Sequence, residues 1–311
     1  MSLRGTIAAS LLLLLPPVMV ACSREPPSAE AVRAPGVTFT AEVGSTRPSG
    51  WPSRVLITND DGIAAPGLAA LVRAFSATTE VVVVAPASNR SGSASYASIL
   101  SGRVDVDTVA VNGAHAAYAV HGYPADCVLI ALKGLMMDEP PDLVISGINA
   151  GANTGDAWAY SGTLGAARIA ALHGVPAIAV SGGVADALPA IADWVVQLTG
   201  TAIVRELAPL QYLTVDAPET PLAEIQGVSV VRRAKGAFGI GVARSEGDTV
   251  DLDVWMVTGF ERAATAATGT DIDALAGGRI AVTIMRADEQ DLVSLRQLEE
   301  RADELPTWAS P

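Results

Sequence analysis

The sequence predicts an α/β protein built on a doubly wound, mostly parallel sheet, with a β-rich, hairpin-containing C-terminal extension. Two observations lead to this fold class. Between residues 51 and 215, short apolar runs alternate with stretches of helical periodicity, the pattern of parallel strands covered by helices on both faces. From about residue 216, strand-like runs follow one another with turn residues between them and few helix signals, which is typical of hairpins.

Each predicted element rests on its apolar spacing. In the first helix, Leu68, Leu71 and Phe75 recur at intervals of three and four residues, as one face of an amphipathic helix requires. The strands predicted before residue 216 are Val55–Thr58, Val81–Ala85, Leu143–Ser146, Ala177–Ser181 and Tyr212–Val215. The helices between them are Gly67–Ser76, Asp126–Met137, Thr163–His173 and Leu188–Leu207. The extension is predicted to contain the strands Val228–Arg232, Phe238–Val242, Val250–Met256 and Arg279–Met285 and the helix Glu289–Ala302.

Composition limits the classes of partner. Of 311 residues, 50% are hydrophobic, and the formal net charge is −13. A large core is therefore available. Nucleic acid is not expected as a partner, because no basic stripe is present to displace counterions from a phosphate backbone. Exposed hairpin edges are commonly covered by another subunit, so we expect a homo-oligomer.

The N-terminal segment predicts export. Residues 1–22 begin with a positive charge and continue as an apolar stretch, the layout of a signal peptide. Met19-Val20-Ala21-Cys22 resembles a bacterial lipobox, which would make Cys22 a lipidation site. An ordinary secretory signal with an incidental cysteine is the alternative. The expected location is therefore periplasmic or membrane-anchored, with membrane contact only through a lipid on Cys22.

The rest of the chain divides into a tether and a domain. Residues 23–50 contain four prolines and little apolar periodicity, which predicts a flexible tether. Residues 51–311 form the expected folded domain, with the β-rich extension starting near residue 216. If the N-terminal extension came from a misassigned start codon, a cytoplasmic location would be expected instead.

Two adjacent carboxylates follow the first predicted strand. Asp60 and Asp61 come directly after Val55–Thr58, at the carboxyl end where open α/β sheets bind ligands. Because neighbouring carboxylates repel each other, a fold that keeps both usually supplies a cation. Ser91 and Asn149 lie in glycine-containing loops after two later strands, so the four side chains are expected to converge. Such oxygen ligands suit a hard cation, namely Mg²⁺, Mn²⁺ or Ca²⁺.

The start of the third predicted helix is a candidate phosphate site. Ser161, Gly162 and Thr163 open this helix, and its unpaired amides and positive dipole end favour an anion. The alternative is that Ser161 or Thr163 only caps the helix. The glycines of residues 147–155 do not form a G-x-G-x-x-G fingerprint, so no dinucleotide is predicted.

Five sequence blocks together resemble the SurE family of nucleotidases. They are T-N-D-D-G-I-A-A-P-G at 58–67, V-A-P-A-S-N-R-S-G at 84–92, H-G-Y-P-A-D-C-V at 121–128, S-G-I-N-A-G-A-N-T-G at 146–155 and Y-S-G-T at 160–163. The resemblance implies a Rossmann-like α/β domain with a β-hairpin extension that is used in homodimers or homotetramers. It also implies hydrolysis of nucleoside monophosphates, at the 5′ or 3′ position, with a divalent cation.

The resemblance also implies residue roles. The family's metal ligands fall on Asp60, Asp61, Ser91 and Asn149, so one Mg²⁺ or Mn²⁺ per subunit is the expected cofactor. Asp60 and Asp61 are the catalytic candidates, and Asp61 is slightly favoured as the group that takes a proton from the attacking water. The residues expected to bind substrate phosphate are Asn59, Asn153, Ser161, Gly162 and Thr163.

Several alternatives stay open at this point. Tyr123 stands where the family usually has threonine, and it is a candidate stacking surface for a base. Arg90 either binds phosphate or ties down its loop, His121 either approaches the site or is structural, and Cys127 is expected in the core. The enzyme is expected to be a 5′-nucleotidase or acid-type phosphatase. The rival functions are a non-catalytic binding lipoprotein and a phosphatase acting on sugar phosphates or polyphosphate.

Overall fold

The structure is a computed structural model that describes residues 50–235, 238–244, 255–262, 267–289 and 292–301. The predicted signal peptide, Cys22 and nearly all of the tether lie outside the described residues. Within the described ranges, no helix combines the length and the apolar character that crossing a membrane requires.

The described residues form eleven strands and seven α-helices. The strands are β1 Arg54–Thr58, β2 Glu80–Pro86, β3 Val106–Val109, β4 Ala116–Val120, β5 Leu143–Asn149, β6 Ala177–Gly182, β7 Gln211–Ala217, β8 Gly227–Val230, β9 Phe238–Arg244, β10 Trp255–Arg262 and β11 Arg279–Arg286. The helices are α1 Pro66–Phe75, α2 Pro124–Ile130, α3 Gly162–Leu172, α4 Leu188–Thr199, α5 Ala202–Arg205, α6 Asp271–Ala276 and α7 Leu292–Glu299.

The main sheet has nine strands in the order β3-β4-β2-β1-β5-β6-β7-β11-β8. The six strands from β4 to β7 run parallel. After β1 the chain builds the sheet outward through β2 and β4, and it then returns to add β5, β6 and β7 on the other side of β1. The loops after β1 and β5 therefore flank the point where strand order reverses, which is where such sheets bind ligands.

Helices bury both faces of the sheet. On one face, α1 and α4 pack over the strands through residues such as Leu71, Ile145 and Val195. On the other face, α2 and α3 cover Val84 and Val144. Because each central strand is covered on both faces, its residues are continuously apolar, which is the pattern from which these strands were predicted. The predicted doubly wound, Rossmann-like fold is confirmed.

The C-terminal extension is only partly the predicted set of hairpins. β9 and β10 form a separate antiparallel pair, which confirms a hairpin, although most of the predicted strand Val250–Met256 lies outside the described residues. β11, however, enters the main sheet, antiparallel to β7 and parallel to β8. Pairing partners of such short strands are decided by tertiary contacts that periodicity does not encode.

Other element predictions were wrong in detail. The predicted helix Leu188–Leu207 is two helices, α4 and α5, because the chain turns at Gly200. The predicted helix Asp126–Met137 begins earlier, at Pro124, and passes into a π-helical turn at Ala131–Leu135. The edge strand β3, its neighbour β4 and the short helix α6 had no predicted counterpart. These short elements depend on their neighbours for stability.

Candidate active site

Loops from four parts of the chain meet at the carboxyl edge of β1. The backbone amide of Arg90, from the loop after β2, donates to the carbonyl oxygen of Asp60 at 2.6 Å. The backbone amide of Ala150, after β5, donates to Asp61 Oδ2 at 2.8 Å. Thr163, in the first turn of α3, donates from Oγ1 to Asp60 Oδ1 at 2.5 Å. The structure thus brings the predicted loops together around the two aspartates.

Asp60 is the buried member of the acidic pair. Only 3% of it is exposed, and its carboxylate is oriented by Thr163. Burial raises the pKa of the Asp60 carboxyl above its ordinary value, and the charge of Asp61 adds to that effect. A carboxylate held in this way gains stability from a nearby cation, because the cation offsets the cost of desolvating the charge.

Asp61 is half-buried and stays accessible. Its Oδ2 accepts the Ala150 amide, and Asn89 Nδ2 stands 3.5 Å from its Oδ1. Burial raises the pKa of this carboxyl too, and the hydrogen bond from Ala150 opposes the shift. Asp61 therefore has Oδ2 fixed by the loop after β5, and its Oδ1 has only the long contact with Asn89 among these bonds.

The remaining predicted metal ligands supply neutral oxygen atoms. Asn149 donates from Nδ2 to the carbonyl oxygen of Gly151 at 2.5 Å, so its amide oxygen is the end left to act as an acceptor. Ser91 is exposed, and its backbone amide is bonded to Asn89 Oδ1 at 2.9 Å. In the described part of the chain, no three His, Cys, Asp or Glu side chains form a metal cluster. Two carboxylates with amide and hydroxyl oxygens nevertheless fit a hard divalent cation.

The start of α3 lies directly against Asp60. A Cβ atom at Gly162 would stand 2.8 Å from Asp60 Cβ and 2.6 Å from Ser93 Oγ. Only glycine permits this approach of backbone to carboxylate, and the first amides of the helix are thereby placed beside the site. Ser161 is the N-cap, and its Oγ accepts the Leu164 amide at 3.1 Å. The capping alternative is therefore observed for Ser161, and Thr163 holds Asp60.

Two asparagines in the predicted phosphate-binding set are engaged elsewhere. The Asn59 side chain bonds both the amide and the carbonyl group of Gly62, at 3.2 and 2.9 Å, so it shapes the loop after β1. Asn153 donates from Nδ2 to Ser181 Oγ at 2.8 Å, so its amide donor points toward the end of β6. We leave both side chains out of the phosphate-binding set developed below.

Two polar groups beside the site lack partners among the described residues: Ser93, which sequence reasoning missed, and Arg90, whose role it left open. Within the described residues, Ser93 Oγ and Arg90 Nε are buried and have no hydrogen-bond partner. The Arg90 guanidinium lies 5.1 Å from the centre of the Tyr123 ring. Buried donors without partners are rare, since each costs free energy. The run Asn89-Arg90-Ser91-Gly92-Ser93 was the available signal, but spacing alone does not show which of its side chains turn inward.

A buried ionic network behind the site was also missed. Arg233 Nη1 donates to the carbonyl oxygen of Asn153 at 2.5 Å and stands 3.4 Å from Asp271 Oδ2. Asp271 in turn accepts the Gly155 amide at 2.7 Å, and Asp216 accepts the Asn153 amide at 2.7 Å. The C-terminal extension is thus bonded to the loop that follows β5.

The locations of His121 and Cys127 in the structure indicate which of their alternative roles applies. His121 is exposed and bonds Asp107 on β3 at 2.7 Å, so it has a structural partner at the sheet edge. Cys127 is fully buried, and burial raises the pKa of its thiol well above the ordinary value. A thiol that resists ionisation is a poor nucleophile.

Comparison with known proteins identifies the family of this chain. The family model described as "Survival protein SurE" matches residues 55–239. Of the site residues discussed above, only Asp271, which accepts the Gly155 amide, lies outside that range. The crystal structure of SurE protein from Aquifex aeolicus is similar, with 28% sequence identity and a TM-score of 0.68. That match covers 80% of this chain and 100% of the other. The protein therefore belongs to the SurE family of phosphatases.

Proposed function

We propose that the protein is a divalent-metal-dependent phosphomonoesterase that hydrolyses nucleoside 5′-monophosphates, and also 3′-monophosphates, to nucleoside and phosphate. The observation that carries this proposal is the contact of Asp60 with the first turn of α3. The contact brings a buried carboxylate against the start of a helix. That arrangement supports cation binding beside phosphate binding, which metal-assisted hydrolysis of a phosphate ester uses.

The proposed cation ligands are Asp60, Asp61, Ser91 and Asn149. When bound, Mg²⁺ or Mn²⁺ would polarise the phosphoryl group and lower the pKa of a bound water. Thr163 and the Ala150 amide hold one oxygen each of Asp60 and Asp61, which limits the rotation of both carboxylates. Preorganised ligands of this kind lose little conformational entropy when the ion arrives.

The proposed phosphate site consists of the first amides of α3, the Ser161 hydroxyl and the unpartnered Ser93 hydroxyl. The net charge of the chain is −13, so an anionic substrate needs local positive potential to enter. The helix N-terminus provides part of it, and Arg90 lies in the neighbouring loop. A phosphoryl oxygen would give Ser93 Oγ the partner that the protein itself does not supply.

Asp61 is the proposed general base. Asp61 is only partly buried, whereas Asp60 is buried and held by Thr163. Asp61 would take a proton from the attacking water as the water oxygen forms its bond to phosphorus, and that proton would pass to the leaving nucleoside oxygen as its bond to phosphorus breaks. Donors at the start of α3 would then stabilise the charge on the phosphoryl oxygens.

Phosphate release by the purified protein tests the proposal. We would present 5′- and 3′-mononucleotides with Mg²⁺, with Mn²⁺ and with a chelator, and use Asp60→Asn as the matched variant. Release that depends on the metal and is absent in Asp60→Asn would support the proposal. Metal binding without release from any ester would instead favour the rival function, a non-catalytic binding lipoprotein.

Quaternary structure and location are proposed separately. A homodimer or homotetramer is supported by the β9–β10 pair, which forms a sheet of its own and offers edges that a second subunit can cover. Light scattering on the purified protein measures the oligomeric state.

Export with lipidation of Cys22 predicts that the wild-type protein fractionates with membranes and that Cys22→Ser is released into the soluble periplasmic fraction. Equal distribution of both would contradict the anchor.

A further inference from the structure

The loop after β5 is held through its main-chain amides. Residues 150–154 form neither helix nor strand, yet four amides of this loop donate to side-chain carboxylates from three other parts of the chain. The pairs are Ala150 with Asp61 at 2.8 Å, Ala152 with Glu219 at 3.2 Å, Asn153 with Asp216 at 2.7 Å and Gly155 with Asp271 at 2.7 Å. Bonds to a charged acceptor are roughly twice as strong as bonds between neutral groups, so these carboxylates fix the course of the loop.

The loop runs from the end of β5 to the end of β7. Asn149, Ser181 and Asp216 lie side by side in the register of β5, β6 and β7. Beyond Asn149 the chain reaches the end of β6, where Asn153 Nδ2 donates to Ser181 Oγ, and the end of β7, where the Asn153 amide donates to Asp216 Oδ1. The far end of the loop is therefore attached to β7, and its near end is the proposed cation ligand Asn149.

One peptide group connects Glu219 to Asn149. Asn149 Nδ2 donates to the carbonyl oxygen of Gly151 at 2.5 Å, and the next amide, that of Ala152, donates to Glu219 Oε1. The carbonyl and the amide belong to the same planar peptide group, whose C=O and N–H bonds point in opposite directions. Because the Asn149 carboxamide is planar as well, fixing its nitrogen also fixes the direction of its oxygen, Oδ1.

Asp216 is a rigid point of attachment for this loop. Its side chain is only 2% exposed, and Arg233 Nη2 stands 3.9 Å from its Oδ2. Arg233 Nη1 also donates to the carbonyl oxygen of Asn153, so the carboxylate and the guanidinium hold both polar groups of the Asn153 main chain. A buried carboxylate that has an amide donor and a cation beside it has little freedom to rotate.

We propose that Asp216 and Glu219 are positioning residues for the cation site: they hold the main chain of the loop after β5 and so set the direction of Asn149 Oδ1. This inference rests on the proposed cation site, to which it adds two residues at the end of β7. They act through Asn153 and Gly151, and not by contact with the ion. The required property is an oxygen that accepts a main-chain amide, and not the negative charge.

Variants that separate the acceptor from the charge test the proposal. Asp216→Leu and Glu219→Met remove the acceptor and the charge, whereas Asp216→Asn and Glu219→Gln remove the charge and keep an accepting oxygen. Glu224→Met is the matched control, because it removes the same charge from an exposed glutamate in the turn that follows Glu219. Glu219 is itself exposed, so its variants test the proposal even if Asp216→Leu does not fold.

The first readout is calorimetric titration of the metal-free protein with Mn²⁺. We expect the affinity to fall about 10- to 100-fold in Asp216→Leu and about tenfold in Glu219→Met, as loss of a group that orients a metal ligand usually causes. Asp216→Asn, Glu219→Gln and Glu224→Met should stay close to the wild type. Unchanged affinity in Asp216→Leu and Glu219→Met would overturn the proposal. Equal losses in the acceptor-retaining variants would overturn it too.

A second readout separates positioning from general stability. In ¹H–¹⁵N spectra of the metal-free protein, the side-chain amide of Asn149 is identified by its absence in Asn149→Ala. Its proton resonance should move in Asp216→Leu and Glu219→Met, because its bond to Gly151 is disturbed, and should stay in place in Glu219→Gln. A lower free energy of unfolding alone does not shift this resonance in the folded protein. A resonance that stays in place in every variant would overturn the proposal.

The outcomes also separate this proposal from the phosphomonoesterase function. If the wild type bound Mn²⁺ but released phosphate from no ester, the proposed function would fail, and the titration and the spectra would still decide the roles of Asp216 and Glu219. If the wild type released phosphate with Mn²⁺ and the variants bound the ion equally well, only the positioning proposal would fail. A wild type that bound no divalent cation would overturn both.

Discussion

The hydroxyl group of Thr163 donates a 2.5 Å hydrogen bond to Asp60 Oδ1, which joins the first turn of α3 to the loop after β1. Both residues are buried. The two residues lie 103 positions apart in the sequence. The bond links a candidate cation ligand, Asp60, to a candidate phosphate site, the start of α3. Substitutions at either end should therefore affect cation affinity and turnover together.

Replacing Thr163 tests this link. Thr163→Val keeps the shape of the side chain and removes the donor, so we expect metal affinity and kcat/KM to fall about 10- to 100-fold, as loss of a bond to a metal ligand usually causes. Thr163→Ser retains the hydroxyl group and should stay close to wild type. Metal titration followed by steady-state kinetics measures both effects. A loss in Thr163→Ser that is absent from Thr163→Val would show that the methyl group matters, and not the hydroxyl donor.

Asp60→Asn should abolish metal-dependent hydrolysis and stabilise the metal-free protein at neutral pH. The pKa of Asp60 is raised in the folded state above its ordinary value of 3.8, so the unfolded chain ionises at lower pH than the folded protein does. The favourable contribution of Asp60 is therefore complete below about pH 3.8 and is lost as the pH rises through the raised pKa. Asn avoids that loss.

Thermal unfolding in chelator at several pH values measures this difference. The Tm of Asp60→Asn minus that of the wild type should grow as the pH rises from below 3.8 towards neutrality. Added Mg²⁺ or Mn²⁺ should raise the Tm of the wild type more than that of Asp60→Asn, because the cation offsets the buried charge. A Tm difference that shrinks with rising pH would contradict the assigned burial effect.

Gly162→Ala should impair activity because the added methyl group would clash with Asp60 and Ser93. The added Cβ would approach Ser93 Oγ at 2.6 Å and Asp60 Cβ at 2.8 Å, so the start of α3 must move away from the site. We expect kcat/KM to fall by about 100-fold, as a misplacement of roughly 1 Å can cause. Gly134→Ala is the control, since a Cβ there meets nothing within 4 Å. The test is to measure kcat/KM for both variants. Unchanged activity in Gly162→Ala would contradict the close approach of the helix start to Asp60.

Arg233 should hold the loop after β5 in place. Arg233→Met leaves Asp216 and Asp271 without their buried cation, and removal of one partner from such a network costs about 3–5 kcal/mol. Arg233→Lys keeps the charge but loses the planar fork that reaches Asn153 and Asp271, so its loss in the free energy of unfolding should be smaller. Urea unfolding measures that loss.

Hydrogen exchange at Asn153 and Gly155 reports on the same loop directly. Both amides donate to buried carboxylates of this network, at 2.7 Å each. Their exchange should accelerate in Arg233→Lys, while amides in α1 should not change. Acceleration throughout the protein would instead mean that Arg233 contributes only to global stability.

The sequence by itself determined the fold class and the edge of the sheet that carries the site. Strands covered on both faces are continuously apolar. For this reason the apolar segments of the sequence predicted β1, β2, β5, β6 and β7. Asp60 and Asp61 could be predicted as site residues because polar residues at the carboxyl ends of parallel strands lie at a common edge of the sheet. The resemblance of the sequence blocks to the SurE family then implied the same two residues as candidate cation ligands.

Only the tertiary structure decided which polar side chains face the site and which support it. Asn59 uses both ends of its amide on Gly62, and Asn153 donates to Ser181 at the end of β6. Asn149 donates to Gly151, and its amide oxygen is the end left to accept. Arg233 reaches Asn153 only because β11 brings the extension back beside β7. Local spacing fixes the direction of a side chain within one element, but its hydrogen-bond partner depends on contacts between residues distant in sequence, which no local pattern records.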